Sequence, residues 1–307
     1  MISSEMRHSS DETAPLVVGL GETLWDVFPD GRKLGGAPAN FAYHADRQGC
    51  RGCVVSAVGD DALGREIEAV FAAKRLEALL PRVARPTGTV RIALDSAGVA
   101  SYAFAEDSAW DNLPFTAETE TLARCAAAVC FGSLAQRSPR SRETISRFLD
   151  CVPAEAVRVF DANLRQNFYD DEILLSSLAR CTILKINEEE APVIAALLGA
   201  DARSREALFS AVFEKFSSAK IVVMTLGKAG SLVASRDGAR SSVPADAGVR
   251  VADTVGAGDS FTASFVASLL FGKTLSEAHR HATDVANFVC SRHGAMPEIP
   301  PSLRVRR

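Results

Sequence analysis

No hydrophobic run in this sequence is long enough to cross a bilayer. The longest apolar stretch, Phe261–Phe271, is broken by Thr and Ser and falls well short of the roughly 20 residues a spanning helix needs. Charge of one sign is also lacking: 34 Lys and Arg, well mixed along the chain, face 38 Asp and Glu, for a net charge of −4. That balance excludes nucleic acid and an anionic membrane as main partners, so an anionic ligand must be held by local geometry. There is no internal repeat, no low-complexity tract and no G-x-x-x-x-G-K-[ST], which excludes a P-loop. Residues 1–14 are polar and lack the apolar centre of a signal peptide, so a disordered lead-in and a cytoplasmic protein are expected.

Cysteine is present, but in odd number. The seven, at 50, 53, 125, 130, 151, 181 and 290, cannot all pair, and most sit in apolar runs where a thiol acts as a small hydrophobe. Cys50 and Cys53 form a C-x-x-C. With no second such pair and no histidine cluster, a redox or metal use is the weaker reading, and reduced thiols in a cytoplasm the simpler one. The five histidines lack metal-ligand spacing; His279 and His281, two apart on a helix, cannot face one ligand.

What is there reads as an α/β protein. With 47% hydrophobic and 23% charged residues the chain is an ordinary globular one, and 307 residues lie near the ceiling for one core. Nearly continuous apolar runs at Leu16–Leu20, Cys53–Val58, Ala127–Phe131, Val157–Phe160, Thr182–Ile186 and Ile221–Thr225 predict buried parallel strands. Amphipathic segments near 38–49, 61–80, 138–151, 171–180, 188–199 and 204–217 predict helices between them, and Gly256–Phe271 and Leu275–Ser291 two more. This alternation predicts a three-layer, doubly wound, mostly parallel sheet with helices on both faces. Two stretches break it. Residues 22–34 carry a Pro29-Asp30-Gly31 turn between short extended pieces, and 88–104 alternate like two strands joined at Asp95–Gly98. Together they predict a small antiparallel sheet outside the main layer.

Two glycine-rich motifs carry chemistry. Asp253-Thr-Val-Gly-Ala-Gly-Asp259 runs directly into an apolar helix, so backbone N–H groups and the helix end make an anion site. Asp259 in the first turn has an ordinary use as a cap, but a cap alone does not call for Gly-Ala-Gly before it. A carboxylate beside an anion hole is what phosphoryl transfer to a hydroxyl requires. At the other end, Gly35-Gly36-Ala-Pro-Ala-Asn40 precedes a helix and reads either as a tight turn or as a close approach of backbone to ligand. Gly19-Leu-Gly21 after the first strand is only a weak dinucleotide signal, because the third glycine is replaced by leucine.

Together these motifs resemble the PfkB (ribokinase-like) carbohydrate kinases. The resemblance includes Val58-Gly-Asp-Asp-Ala-Leu-Gly64, Asn187-Glu-Glu-Glu190 and Thr225-Leu-Gly-Lys-Ala-Gly230, and covers about residues 15–300 in the family's order. Within the family, Gly21–Asp30, Ala109-Trp-Asp111 and Asp161-Ala-Asn-Leu-Arg165 look most like fructokinases. The resemblance implies one kinase domain over 15–303, with a discontinuous β lid from about 22–35 and 87–113, and γ-phosphoryl transfer from ATP, with Mg2+, to a sugar hydroxymethyl group. It implies Asp259 as base and Gly256, Ala257 and Gly258 as anion hole. Asp26, Gly36, Asn40 and Phe104 would meet the sugar, and Arg165 would contact the acceptor or neutralise phosphate charge; Asn187, Thr225, Gly227 and Gly230 would line the nucleotide. Asn187 and Glu190 would organise magnesium through water.

The resemblance further implies a potassium site at Asp253, Val255, Val289, Arg292 and Gly294, although Glu298 stands where a smaller hydroxyl residue is commoner. Residues 72–86 read as helix with a short exit, where the family has another extended segment. Phe104 and Tyr102 alternate on the second lid strand, either over the sugar or in edge packing. A homodimer through the lid is a further implication. Ribose, 2-keto-3-deoxygluconate or a nucleoside remain alternative acceptors, with only 3 Tyr and 2 Trp available for stacking a base. A catalytically silent sugar sensor is the reading from another class; retention of Asp259, Asn187 and Glu190 counts against it.

Overall fold

The structure, a computed structural model, describes residues 14–94, 100–246 and 248–305. The lead-in expected at 1–14, apart from Ala14, and the turn expected at Asp95–Gly98 lie outside the described residues. In chain order come β1 (Leu16–Leu20), β2 (Leu24–Phe28), β3 (Gly31–Gly35), α1 (Ala37–Arg47), β4 (Arg51–Val55), β5 (Val58–Gly59) and α2 (Ala62–Ala73). Next are β6 (Glu77–Leu79), β7 (Arg82–Val83), β8 (Gly88–Leu94), β9 (Ala100–Phe104), α3 (Ala117–Cys125), β10 (Ala128–Phe131), α4 (Pro139–Cys151) and β11 (Val157–Asp161). Then follow α5 (Asp171–Arg180), β12 (Ile183–Asn187), α6 (Ala191–Leu198), α7 (Arg205–Lys215) and β13 (Ile221–Thr225). The last are β14 (Ser231–Ser235), β15 (Arg240–Val243), α8 (Ala257–Leu270) and α9 (Leu275–Cys290).

Nine of these strands form one sheet in the order β15-β14-β13-β12-β11-β10-β1-β4-β6, parallel except for β14 and β15. The period-2 geometry of a strand explains how one apolar run serves two layers. Leu16, Val18 and Leu20 of β1 enter the larger core, with Phe131, Phe148 and Phe160. Val17, between them, points the other way, to Phe41 of α1 and Phe261 and Phe265 of α8. Chain connections leave β1 toward β4 on one side, while β10 lies on the other. The carboxyl end of β1 is therefore a switch point, where the crevice of a doubly wound sheet opens.

A small sheet is present as four strands in the order β3-β2-β8-β9, but it is mixed rather than antiparallel as expected, because its two hairpins join through a parallel pair. Its segments come from two separate parts of the chain: β2 pairs antiparallel with β3 and parallel with β8, which pairs antiparallel with β9. Gln166 Nε2 donates to the Tyr102 carbonyl at 2.6 Å and Phe104 meets Phe168 edge-on at 5.4 Å, so β9 is fastened to the loop after β11. Just beyond β9, Arg137 fastens the chain again. It forks onto Asp111 at 2.8 and 2.7 Å, donates to the Ala105 carbonyl at 2.6 Å and lies 4.1 Å from the Trp110 ring centre.

Two expectations need correction. The helix expected over 61–80 stops at Ala73, and residues 77–79 and 82–83 are strands. Arg75 turns left-handed (φ 53°) and ends the helix, which frees Glu77–Leu79 to pair with the exposed edge of β4. The Leu76-Glu-Ala-Leu-Leu80 pattern fits both periods, and edge pairing decides it. The helix expected at 188–199 begins only at Ala191, because Asn187 Oδ1 accepts the amides of Glu189 and Glu190 in a side-chain turn. The strands β14 and β15 and helix α3 carry no strong sequence signal. Cys50 and Cys53 are both buried, in separate core layers. Among the described residues no helix is long and apolar enough to cross a membrane.

The Arg137–Asp111 pair gives a stability prediction, since their side chains are only 10% and 6% exposed. Asp111→Ala strands a buried guanidinium and should cost about 3–5 kcal/mol of unfolding free energy. Urea denaturation reads this, and a loss below about 1 kcal/mol would show that the pair fastens nothing.

Candidate active site

Two helix N-termini converge at the carboxyl end of β1. Helix α1 starts after Gly36, whose φ of 115° suits glycine and whose missing side chain admits the Glu22 carbonyl. Pro38 occupies the first turn, where its absent N–H costs nothing. Helix α8 starts after Gly256 (φ 78°), packed against Ala295. Asn40 of the first helix and Asp259 of the second meet: Asn40 Nδ2 donates to Asp259 Oδ2 at 2.7 Å. Burial and the neighbouring Asp161 push the Asp259 carboxyl up to about 6, against the opposing pull of Asn40, Lys185 and Arg165.

Asp26 projects from β2. A side chain on Gly35 would run into its Oδ2, so the glycine makes room for that carboxylate. Burial raises Asp26 to about 6, with Arg165 and Lys33 pulling the other way. Arg165 is exposed on the loop after β11; its carbonyl accepts the Phe168 amide at 3.0 Å, and its side chain makes no hydrogen bond or ion pair among the described residues. That loop holds Asn163 and Gln166 at positive φ, 39° and 47°.

Residues expected at the nucleotide form a second group, at the ends of β12 and β13, where Asn187 and Thr225 face each other in register. Gly227 and Gly230 follow at positive φ, 52° and 96°. Glu190 is 5% exposed and accepts the amides of Asn187 (2.8 Å) and Leu164 (3.0 Å), one on each oxygen. Each oxygen keeps a lone pair, so this hard-oxygen pair suits a magnesium ion that retains its water shell. Among the described residues no three His, Cys, Asp or Glu side chains are arranged to hold a metal ion. At the expected potassium position, Asp253 accepts the amides of Val255 (3.0 Å) and Gly294 (3.1 Å), while the Val289 carbonyl accepts the Arg292 amide at 2.9 Å. Phe104 lies on the small sheet, edge-on to Phe168.

Sequence reasoning missed three charged residues here. Lys185 Nζ pairs with Asp161 at 3.1 Å, both nearly buried, and lies beside Gly258. Glu22, 3% exposed, lines a narrow cavity with Asp161, Asn163 and Asp259. The available signal was a lone charge within an apolar strand or at its end, which must find a partner if buried. Among the histidines, His279 sits between Ser231 and Ser241, each at 2.8 Å. His44 Nε2 donates to the Ala295 carbonyl at 2.8 Å, joining α1 to the segment behind Gly256.

The profile of the pfkB family carbohydrate kinases matches residues 20–301. The chain belongs to this family. It is a sugar kinase, a phosphotransferase with an alcohol group as acceptor. It is 33% identical to a fructokinase of Klebsiella pneumoniae over 269 residues, covering 81% of this chain and 83% of that one. It is 28% identical to a nucleoside kinase of Methanothermobacter thermautotrophicus, over 87% and 81% of the two chains. The ATP-bound fructokinase structure from Xylella fastidiosa superposes with a TM-score of 0.82 at 22% identity, over 93% of this chain and 95% of that one, and shares its ribokinase-like fold.

Gly256 offers a test of the helix start. Gly256→Ala places a Cβ within 2.8 Å of Ala295 at a φ of 78°. The strain should cost roughly 1–3 kcal/mol and lower the thermal midpoint. An unchanged midpoint would mean that the glycine is not structurally required.

Proposed function

We propose that this sugar kinase transfers the γ-phosphoryl group of ATP to a hydroxymethyl group of its acceptor, with fructose the first choice. The observation that carries the reading is the Asp259 carboxylate at the start of α8, held by Asn40 beside the amides of Gly256, Ala257 and Gly258. In the proposed step Asp259 takes the hydroxyl proton as the oxygen attacks phosphorus. Amides at the helix start would meet charge on the transferring group. Asp26, Gly36, Asn40 and Arg165 would hold the sugar, and Phe104 would back it from the small sheet. A carboxylate and an amide suit a polyol, because they form paired hydrogen bonds that an analogue lacking the hydroxyl leaves unmet.

Asn187, Thr225, Gly227 and Gly230 would line the nucleotide. Asn187 and Glu190 would hold magnesium through its waters, and the ion would supply charge neutralisation between the phosphates. Potassium would sit among Asp253, Val255, Val289, Arg292 and Gly294. We take residues 15–303 as one cytoplasmic kinase domain whose small sheet acts as a lid over the acceptor and pairs two copies in a homodimer. Closure would exclude water and suppress ATP hydrolysis.

A second reading keeps the chemistry and changes the acceptor to ribose, 2-keto-3-deoxygluconate or a nucleoside; the likeness to a nucleoside kinase favours it. An ADP-release assay over sugars and nucleosides separates these, and binding without turnover on the whole panel would favour a sugar sensor. Asp259→Asn should lower kcat by about 10²–10⁴ while sugar still binds. In the wild type, turnover should fall below about pH 6, where the Asp259 carboxyl takes up its proton. Near-normal turnover in the variant would remove the base from Asp259. Asp26→Ala should raise the sugar KM at least about tenfold with ATP binding intact. An unchanged sugar KM would take Asp26 out of the acceptor site.

A further inference from the structure

The active-site region buries two carboxyl groups that the proposed chemistry leaves unused: Asp161, which is paired with Lys185, and Glu22. Glu22 stands two residues beyond β1, is 3% exposed, and has no hydrogen-bond partner for Oε2 among the described residues. Its backbone carbonyl closes against Gly36, and the Ala37 amide at the start of α1 faces its carboxyl group. The charged and titratable groups around it are Asp259 from α8, Arg165 and Asp161 from β11 and its following loop, and Cys130 from β10. Lys185 of β12 is already committed to Asp161. From α1 only the Ala37 amide and the uncharged Asn40 look toward this cluster. A buried carboxyl oxygen without a donor is costly, and more so beside a second carboxylate. An amide of the same shape would fill the space without the charge.

We propose that Glu22 is a positioning residue that acts through Asp259. In its charged form it places negative potential beside Asp259, which makes that carboxylate the stronger proton acceptor, and it fixes the start of the helix that delivers Asn40. This rests on Asp259 being the base. Burial, with the nearby Asp259 charge, raises Glu22 to about 7, against about 6 for Asp259. The two titrate as a pair: Asp259 ionises first, beside a neutral Glu22, and Glu22 ionises second. Full base strength is reached only after the second step.

The test is the pH profile of kcat, at saturating ATP and sugar, for wild type, Glu22→Gln, Glu22→Asp and Asp259→Asn. Wild-type kcat should climb in two stages, through about pH 6 and again through about pH 7. Glu22→Gln should show one stage, near pH 6, with a plateau lowered by about threefold or more. Glu22→Asp should restore the second stage. If Glu22→Gln keeps the two-stage profile while Asp259→Asn is inactive, the Glu22 proposal fails alone; if Asp259→Asn turns over normally, the base assignment fails with it.

Thermal melting supplies a readout independent of activity. A carboxyl raised from 4.5 to about 7 in the folded state withdraws stability as pH climbs through that window. The Tm advantage of Glu22→Gln over wild type should therefore widen between about pH 5 and pH 8. A constant difference would show that folding does not raise the Glu22 carboxyl above its ordinary value, and would overturn the proposal.

Discussion

One hydrogen bond, from Asn40 to Asp259, joins helix starts that lie 219 residues apart in the chain. Most of the architecture is arranged so that it can form. The sheet must open at the end of β1, each helix must begin directly after a glycine at positive φ, and Ala295 must stand behind Gly256. His44 contributes by tying α1 to that same segment. Since Ala295 accepts, Nε2 carries the proton, and burial keeps the imidazole neutral by lowering its pKa to about 4. The two helices are thus located by a second contact of a different kind, through a ring rather than a carboxylate.

The charges beneath this bond are out of proportion to the surface. Asp161, Asp259 and Glu22 lie close together, and the buried Lys185 answers only part of their charge. Such a cluster lowers stability at neutral pH, and its cost is tolerated by a large apolar core on both sheet faces. Near-neutral net charge fits this picture. A neutral acceptor such as the fructose proposed above would need no basic surface, with phosphate recognition falling to helix ends and backbone amides.

Much of this was legible in the chain. β1, β13 and α5 fall at the boundaries their apolar patterns predict, and the two interruptions at 22–34 and 88–104 are where the small sheet arises. Asp259 stood out because a cap alone does not call for the Gly-Ala-Gly before it, whereas Asn40 stood out only through the family resemblance, its Gly35-Gly36 reading equally as a tight turn. What escaped detection shares a physical cause: it depends on partners distant in sequence. Glu77–Leu79 becomes a strand only because β4 offers an edge. Lys185 and Glu22 acquire meaning only when their neighbours are known, since the same letters on a surface would mean little.

The fastening of β9 has a consequence for how the small sheet meets other molecules. A sheet edge invites edge-to-edge addition unless it is blocked. On one side β3 presents Arg32 and Lys33, exposed and charged. On the other, the side chain of Gln166 already occupies the Tyr102 carbonyl of β9. Neither border is a free template for a new strand. Two copies meeting at this sheet would have to press face on face, with side chains rather than backbone deciding the fit, and the same blocked borders guard the folded chain against strand-by-strand aggregation.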